Sequence, residues 1–255
     1  MQFRQKLAKA IRVISAPPFA AAAFALILYF NPAGAIVRRD QLVACLLGLS
    51  VGPVLAYPIS AALHTGREKQ RVIAMYISLL SYGILLVWSL ICPNGNEFRF
   101  VCMTYFMSVI MLIVFNRLLH IRSSGHSCSV SGPGLLLCIF FGAKWIPGCA
   151  AAYALIFWAS VETKRHTPKE FILGSVCLLI AAGISALVML EGCCKCKNKT
   201  PALTQCQAGV IIYSERALRQ AVSSVVDSSH WNDRRHLAEW RRFCFTVIVI
   251  VYVST

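Results

Sequence analysis

Two short polar islands interrupt a largely apolar chain, and each holds a histidine beside cationic residues. The first is residues 122–126, Arg-Ser-Ser-Gly-His, and the second is residues 164–170, Lys-Arg-His-Thr-Pro-Lys-Glu. Ionisable residues that a membrane protein places within or against its apolar segments are rare and often functional. The combination of imidazoles and cations therefore indicates a site that handles phosphate at a bilayer surface.

The second island places Glu170 four residues after His166. On a helix this spacing brings the two side chains onto one face, where the carboxylate can hold the imidazole in one tautomer. The same residues also resemble a helix start, with Thr167 as the cap and Pro168 in the first turn. The two interpretations are compatible, and the sequence leaves both open.

The first island ends in Ser124, Gly125 and His126, immediately before an apolar run. Amides and hydroxyls at the start of a helix can line an anion pocket, and glycine lets the backbone come close to the anion. The alternative interpretation is an ordinary interfacial turn, with the side chain of Arg122 reaching toward water.

A third basic segment contains Arg67 and Arg71, which are four residues apart. Both guanidinium groups would lie on one helical face, where they could clamp a phosphate through paired hydrogen bonds. Basic residues also commonly flank transmembrane helices. The segment therefore indicates a phosphate site only if it lies on the same membrane face as the two islands.

The composition is that of an integral membrane protein. Of the 255 residues, 58% are hydrophobic and only 14% are charged, and the mean hydropathy is +0.66. Soluble domains carry about 25% charged residues. The net charge of +15 lies in short clusters between apolar runs, which argues against a nucleic-acid partner. The pattern favours the membrane bilayer and a lipid phosphate substrate as partners.

Apolar runs of about 20 residues predict an all-α, polytopic membrane helical bundle with about six to seven transmembrane helices. If the short fifth and sixth runs are separate spans, the loops after the second, fourth and sixth spans share one face, and these loops hold the three basic segments. The distribution of Lys and Arg favours the cytoplasmic side for this face. The predicted spans are Val13–Phe30, Leu42–Leu63, Val72–Cys92, Phe98–Phe115, Ser127–Ala143, Ile146–Val161 and Phe171–Leu190.

The bundle is expected to occupy residues 1–190, followed by an appended, partly helical tail at residues 191–255. The basic residues 1–12 lead into an apolar run without a convincing cleavage site, and we interpret them as part of a retained first anchor. The tail contains clustered cysteines and two charged stretches, but its cysteine spacing does not favour a zinc site.

Together, the three basic segments resemble the type 2 phosphatidic acid phosphatase family, whose members are membrane enzymes related by their site to vanadium haloperoxidases. The resemblance covers roughly residues 60 to 190, about half of the chain. Arg67-x-x-x-Arg71 is similar to the first motif of that family, Ser123-Ser124-Gly125-His126 to the second, and the segment from Ala159-Ser160 through His166 to Glu170 to the third.

The resemblance implies roles for individual residues. His166 would be the nucleophile that forms a phosphohistidine, Glu170 its orienting partner, and His126 the acid that protonates the leaving alcohol. The resemblance implies neither a metal ion nor an organic cofactor. Phosphate would be bound by two guanidinium groups, a hydroxyl and an amide, from Arg67, Arg71, Ser124 and Gly125.

The spacing of the first motif to a lysine is not reproduced in this chain, where His64 lies seven residues before Arg71. Two further positions depart from the family pattern. Val72 stands where the first motif has a proline, and Ser160 stands where the third motif has an arginine. Loss of that arginine removes a cation from the expected phosphate clamp, which predicts a rate lower by about two to three orders of magnitude unless another guanidinium replaces it. We expect Arg165 to compensate.

These inferences predict a membrane lipid phosphatase acting on a phosphatidate-like or polyprenyl phosphate substrate. The two departures keep a second hypothesis open, in which a catalytically weakened or inactive family member binds a lipid or a partner protein. A transporter is not favoured, because no acidic residue lies within the predicted spans to couple an ion.

Overall fold

The structure, a computed structural model, describes residues 2–32, 34–64 and 66–195. All regular structure within these ranges is helical, in agreement with the all-α prediction. The predicted tail falls outside these ranges from residue 196 onward. The main helices of the described ranges are α1 (Gln2–Ile14), α2 (Pro17–Phe30), α3 (Arg39–Ala62), α4 (Arg67–Ile91), α5 (Asn96–Leu118), α6 (Gly125–Phe141), α7 (Ile146–Glu162) and α8 (Pro168–Lys195).

Five helices of the described ranges are long and apolar enough to cross a membrane: α3, α4, α5, α7 and α8, where α7 is counted together with the turn before it as the 20-residue segment Ala143–Glu162. A sixth crossing is counted if the bent pair of α1 and α2 forms one span. Helix α6 is apolar but has only 17 residues, fewer than the roughly 20 that a full crossing needs. These helices indicate a membrane-embedded, multi-pass protein. Met1–Ser185 forms one compact unit, which contains the candidate site.

The first predicted span is divided in two. The sequence predicts one helix over Val13–Phe30, but α1 ends at Ile14 and α2 begins at Pro17, with a bend of 55° between them. A residue before proline avoids the helical conformation, and Ala16 is accordingly extended, at φ −58° and ψ 144°. Proline is well suited to the first position of a helix, because no intrahelical hydrogen bond is lost there.

Helix α1 packs against α7. Ala8 is fully buried, and Arg4 Nη2 lies 3.4 Å from Glu162 Oε2 at the end of α7. The cationic side chains of Lys6 and Lys9 are exposed, so α1 is amphipathic. The packing holds α1 in a defined place, together with the residues at its C-terminal end.

Helices α3, α5 and α7 end in the same backbone conformation. A non-glycine residue in the left-handed region follows each of them: His64 at φ 48°, His120 at φ 53° and Lys164 at φ 51°. Left-handed residues commonly close the end of a helix, although glycine is the usual residue because it has no Cβ. Each of these turns costs on the order of 1 kcal/mol. They lie in the three basic connections that the sequence predicted to carry the site.

Candidate functional site

The start of α6 docks against the start of α8. The Ser124 backbone N–H donates to the Glu170 carbonyl oxygen at 2.9 Å. Gly174, one turn further along α8, permits this approach, because a Cβ at this position would lie only 2.2 Å from the Ser124 carbonyl oxygen. The contact brings His126, the second residue of α6, close to the connection that carries His166.

We expect the substitution Gly174→Ala to force α6 and α8 apart. The added Cβ would meet a backbone atom, so the free energy of unfolding should fall by about 1–3 kcal/mol. The control is Gly148→Ala in α7, where a Cβ would meet nothing within 4 Å and alanine should be neutral or should stabilise the helix. Thermal unfolding of both variants in detergent measures the difference. A Gly174→Ala protein as stable as the control would contradict the close approach.

Asn116 holds the connection between α5 and α6. It lies in a π-helical turn at the end of α5, and such turns are frequent at functional sites. Its Oδ1 accepts from the Ser123 backbone N–H at 3.1 Å, while its Nδ2 donates to the Ser123 hydroxyl at 2.6 Å and to the Leu112 carbonyl oxygen at 2.8 Å. These hydrogen bonds fix the backbone just before His126.

His166 and Glu170 form a hydrogen-bonded pair. His166 Nδ1 lies 3.2 Å from Glu170 Oε2, and the two side chains are 13% and 18% exposed. The same segment starts α8: Pro168 is its first residue, and the Thr167 hydroxyl accepts from the Glu170 backbone N–H at 3.3 Å. The oriented imidazole and the helix start therefore occur together. The hydrogen bond at Nδ1 leaves Nε2 as the ring nitrogen that can attack a substrate.

Arg122 links the three basic connections. Its Nε lies 3.8 Å from Glu170 Oε1 and its Nη2 lies 2.9 Å from Glu68 Oε1, while Arg71 Nη1 lies 3.8 Å from Glu68 Oε2. Because Arg122 and Glu68 are well exposed, each pair adds no more than about 1 kcal/mol to stability. The pairs matter for position, since they gather Arg71, Arg122 and Glu170 around the loop of His166.

His126 is partly buried beside the end of α1, where its Nε2 lies 3.3 Å from the Ser15 hydroxyl oxygen. Burial, followed by the charges of Arg12 and His166, lowers the pKa of His126 to about 4. The pKa of His166 is also lowered, mainly by burial, while the hydrogen bond with Glu170 opposes the shift. Both imidazoles are therefore neutral at pH 7.

We expect His126 to take up a proton only near pH 4, and a bound anion to raise this pKa. A bound anion favours the charged imidazole, so vanadate should move the pKa of His126 back toward its ordinary value of about 6.5. Histidine NMR of the protein in micelles, with His126→Asn to assign the signal, measures the pKa with and without vanadate. An ordinary pKa that vanadate leaves unchanged would contradict both the burial and the anion site.

Both imidazoles line one cavity of about 990 Å³. Six cationic side chains and one carboxylate, that of Glu68, contribute to its wall. Such an excess of positive charge favours an anionic ligand, and the apolar part of the wall favours a lipid. The cationic residues are Arg12, Arg71, Arg117, Arg122, Lys164 and Arg165, and the deeper wall includes Tyr82, Tyr105, Val109, Leu112 and Leu178.

Some of the predicted site residues line this cavity and others do not. The Ser124 hydroxyl is fully buried and accepts from the Ser127 backbone N–H at 3.2 Å, so it caps α6 and does not line the cavity. The side chain of Arg67, the first residue of α4, lies outside the described part of the structure. Glu170 stands behind His166. The predicted residues that line the cavity are Arg71, Gly125, His126, Arg165 and His166.

Ser160 stands where the resemblance predicts an arginine, and it is buried in α7. The residue is 0% exposed, and its hydroxyl has no hydrogen-bond partner among the described residues. Its carbonyl oxygen accepts from the Arg165 backbone N–H at 3.4 Å. The Arg165 side chain lines the cavity, and its compensation for the missing arginine stays a prediction.

The contribution of α1 was not predicted from the sequence. Arg12 lines the cavity and Ser15 contacts His126, although both lie in a segment predicted to be an anchor. The available signal was the pair Pro17-Pro18, which separates a basic amphipathic helix from the apolar run that follows.

Within residues 2–32, 34–64 and 66–195, no group of three or more His, Cys, Asp or Glu side chains could hold a metal ion. Comparisons of the chain with protein-family models, with curated proteins and with solved structures found no match.

Proposed function

We propose that the chain is a membrane lipid phosphatase that hydrolyses a phosphate monoester or diphosphate of a lipid through a phosphohistidine at His166. One observation carries the proposal: the hydrogen-bonded pair of His166 and Glu170 stands at the same cation-lined cavity as His126. Phosphoryl transfer without a metal requires a nucleophile, a second group that moves protons, and cations that neutralise the phosphate oxygens.

In the first step, Nε2 of His166 attacks phosphorus, and the bond between phosphorus and the lipid oxygen breaks. Glu170 accepts a hydrogen bond from Nδ1–H and so stabilises the positive charge that develops on the ring. His126, which the bound dianion favours in its protonated form, gives its proton to the departing lipid oxygen. The products are a lipid alcohol and the phosphohistidine.

In the second step, water attacks phosphorus and the bond to Nε2 of His166 breaks. His126, now neutral, takes the proton from the attacking water. Inorganic phosphate leaves, and His166 is restored. Throughout both steps, the guanidinium groups of Arg71, Arg122 and Arg165 would neutralise charge on the non-bridging phosphate oxygens.

The motifs and this chemistry together favour membership of the type 2 phosphatidic acid phosphatase family. The phosphorylated head of the substrate would bind in the cationic part of the cavity, with its tails toward the apolar part and the bilayer. With α6 counted as a further span, the chain would cross the cell membrane six to seven times. The distribution of Lys and Arg favours a cytoplasmic site.

Release of inorganic phosphate from a panel of lipid phosphates tests the proposal. Protein in detergent should hydrolyse at least one of phosphatidate, phosphatidylglycerol phosphate and polyprenyl diphosphate. Turnover should be insensitive to EDTA and inhibited by vanadate, which mimics the transferred phosphoryl group. Turnover that EDTA abolishes would indicate a metal enzyme, and no turnover across the panel would overturn the proposal.

The buried serine at position 160 favours a second candidate function. If no other guanidinium replaces the expected arginine, the protein would bind a lipid phosphate without hydrolysing it. Binding of phosphatidate-containing micelles that is the same for wild type and His166→Asn, together with no phosphate release from either, would distinguish this function from catalysis.

A further inference from the structure

Helix α1 brings a half-buried cation to the cavity. Arg12 lies in its last turn and lines the cavity with both imidazoles. Its Nε is buried without a hydrogen-bond partner among the described residues. No carboxylate in the described part of the chain forms an ion pair with it. A cation that is partly removed from water without a counter-charge is costly, unless a ligand supplies that charge.

The position of this cation is built into the fold. Ala8 anchors α1 against α7, and the bend of 55° at the start of α2 ends α1 beside the cavity. Ser15, just beyond the last turn, completes the contact through its hydroxyl, which lies 3.3 Å from Nε2 of His126. The side chain of Arg12 is therefore brought to the imidazoles by helix packing.

Arg12 lines the same cavity as both imidazoles, and its charge acts on both of them. It contributes to the lowered pKa of His126, where it ranks directly after burial, and to that of His166. A cation that acts on both proposed catalytic groups is also placed to act on an anion between them.

We infer that Arg12 is a phosphate-binding residue of this cavity, which adds a guanidinium from α1 to those of Arg71, Arg122 and Arg165; the inference rests on the proposed function. The ligand class is a tetrahedral dianion, either the phosphate of a lipid head or inorganic phosphate. Arginine suits this ligand because its planar fork can donate two parallel hydrogen bonds.

Three variants test the assignment. Arg12→Gln removes the charge, Arg12→Lys keeps the charge without the fork, and Lys9→Gln removes an exposed cation one turn earlier on the same helix. Phosphate release gives kcat/KM, and inhibition by vanadate gives the affinity for a phosphoryl mimic. The vanadate-induced rise in unfolding temperature reports binding without turnover.

We expect Arg12→Gln to lower kcat/KM and the affinity for vanadate each by about 100-fold. Arg12→Lys should recover part of both losses, and Lys9→Gln should behave as wild type. Because Arg12→Gln removes a half-buried, unpaired cation, its unfolding temperature without vanadate should equal or exceed that of wild type. A lipid phosphate and inorganic phosphate should each raise the unfolding temperature of wild type. The anion that gives the larger rise at equal concentration is the better ligand of the cavity, which distinguishes the two sources.

Two results would overturn the inference while leaving the proposed function intact, both with an active wild type. In the first, Arg12→Gln stays within threefold of wild type in kcat/KM and in vanadate affinity. In the second, Arg12→Gln loses kcat/KM and stability while its vanadate affinity is unchanged. If wild type releases no phosphate, the proposed function fails instead. Arg12 is then judged by the vanadate-induced rise in unfolding temperature. Loss of that rise in Arg12→Gln supports the anion site, and an undiminished rise excludes it.

Discussion

Replacing His166 with asparagine is expected to reduce phosphate release by about four orders of magnitude or more. Asparagine is polar and smaller than histidine, but it has no ring nitrogen to attack phosphorus, so the covalent intermediate cannot form. The measurement is kcat/KM for the best substrate of the lipid phosphate panel, with single-turnover experiments to separate chemistry from product release.

His64→Asn is the matched control for this substitution. His64 lies in another basic connection, is exposed, and has its Nδ1 3.1 Å from the Ala62 carbonyl oxygen. Its left-handed conformation, at φ 48°, is one that asparagine tolerates well. The control should therefore keep full activity. Activity of His166→Asn above about a tenth of wild type would contradict its assignment as the nucleophile.

Replacing His126 with asparagine is expected to have an effect that depends on the leaving group. With a lipid phosphate, whose alkoxide leaves poorly without a proton, kcat/KM should fall by about two to four orders of magnitude. With nitrophenyl phosphate, whose phenolate leaves readily, transfer of the phosphoryl group to His166 should continue at nearly the wild-type rate. Rapid-quench measurement of nitrophenol release in the first turnover tests this difference.

Ser15→Ala is a useful comparison, because it keeps the imidazole of His126 and removes only the hydroxyl 3.3 Å from it. The loss of one such hydrogen bond should cost no more than about tenfold in rate. If His126→Asn lowered the rate equally with the lipid phosphate and with nitrophenyl phosphate, this residue would position the phosphate and would not protonate the leaving group.

Hydropathy predicts the long helices well, because a bilayer core requires an apolar run of defined length. Helix α8 nevertheless extends beyond the predicted Phe171–Leu190, to Pro168 and Lys195, since helix ends depend on capping and not on apolarity. The break at Ala16 was missed for a related reason. A long apolar window averages over a proline-induced bend that local backbone sterics impose.

Individual side-chain contacts of the candidate site were predictable only where the two residues are close in sequence. The pairing of His166 with Glu170 follows from helical spacing of four residues, and the structure contains that hydrogen bond. The ion pair between Arg122 and Glu68 and the contact of Ser15 with His126 join residues that are 54 and 111 positions apart. Such contacts depend on how helices pack, and no local pattern encodes them.

Prediction of the site from sequence is also limited where one side chain could serve either of two roles. The Ser124 hydroxyl could serve either an anion or the start of α6, and the structure uses it for the helix, at 3.2 Å from the Ser127 nitrogen. A serine before a helix can satisfy an otherwise unpaired backbone N–H, which is worth about 1 kcal/mol. The sequence pattern is the same for both uses.

If His166 carries the phosphoryl group while His126 donates and accepts the protons, the covalent intermediate can be trapped. The His126→Asn protein is mixed with ³²P-labelled nitrophenyl phosphate, quenched in alkali and digested. Without His126 to activate water, we expect label to accumulate on the peptide that contains His166. The label should be stable in alkali, lost in acid, and absent when His166 is also replaced. Label on another residue, or nitrophenol release with no labelled peptide, would contradict this mechanism.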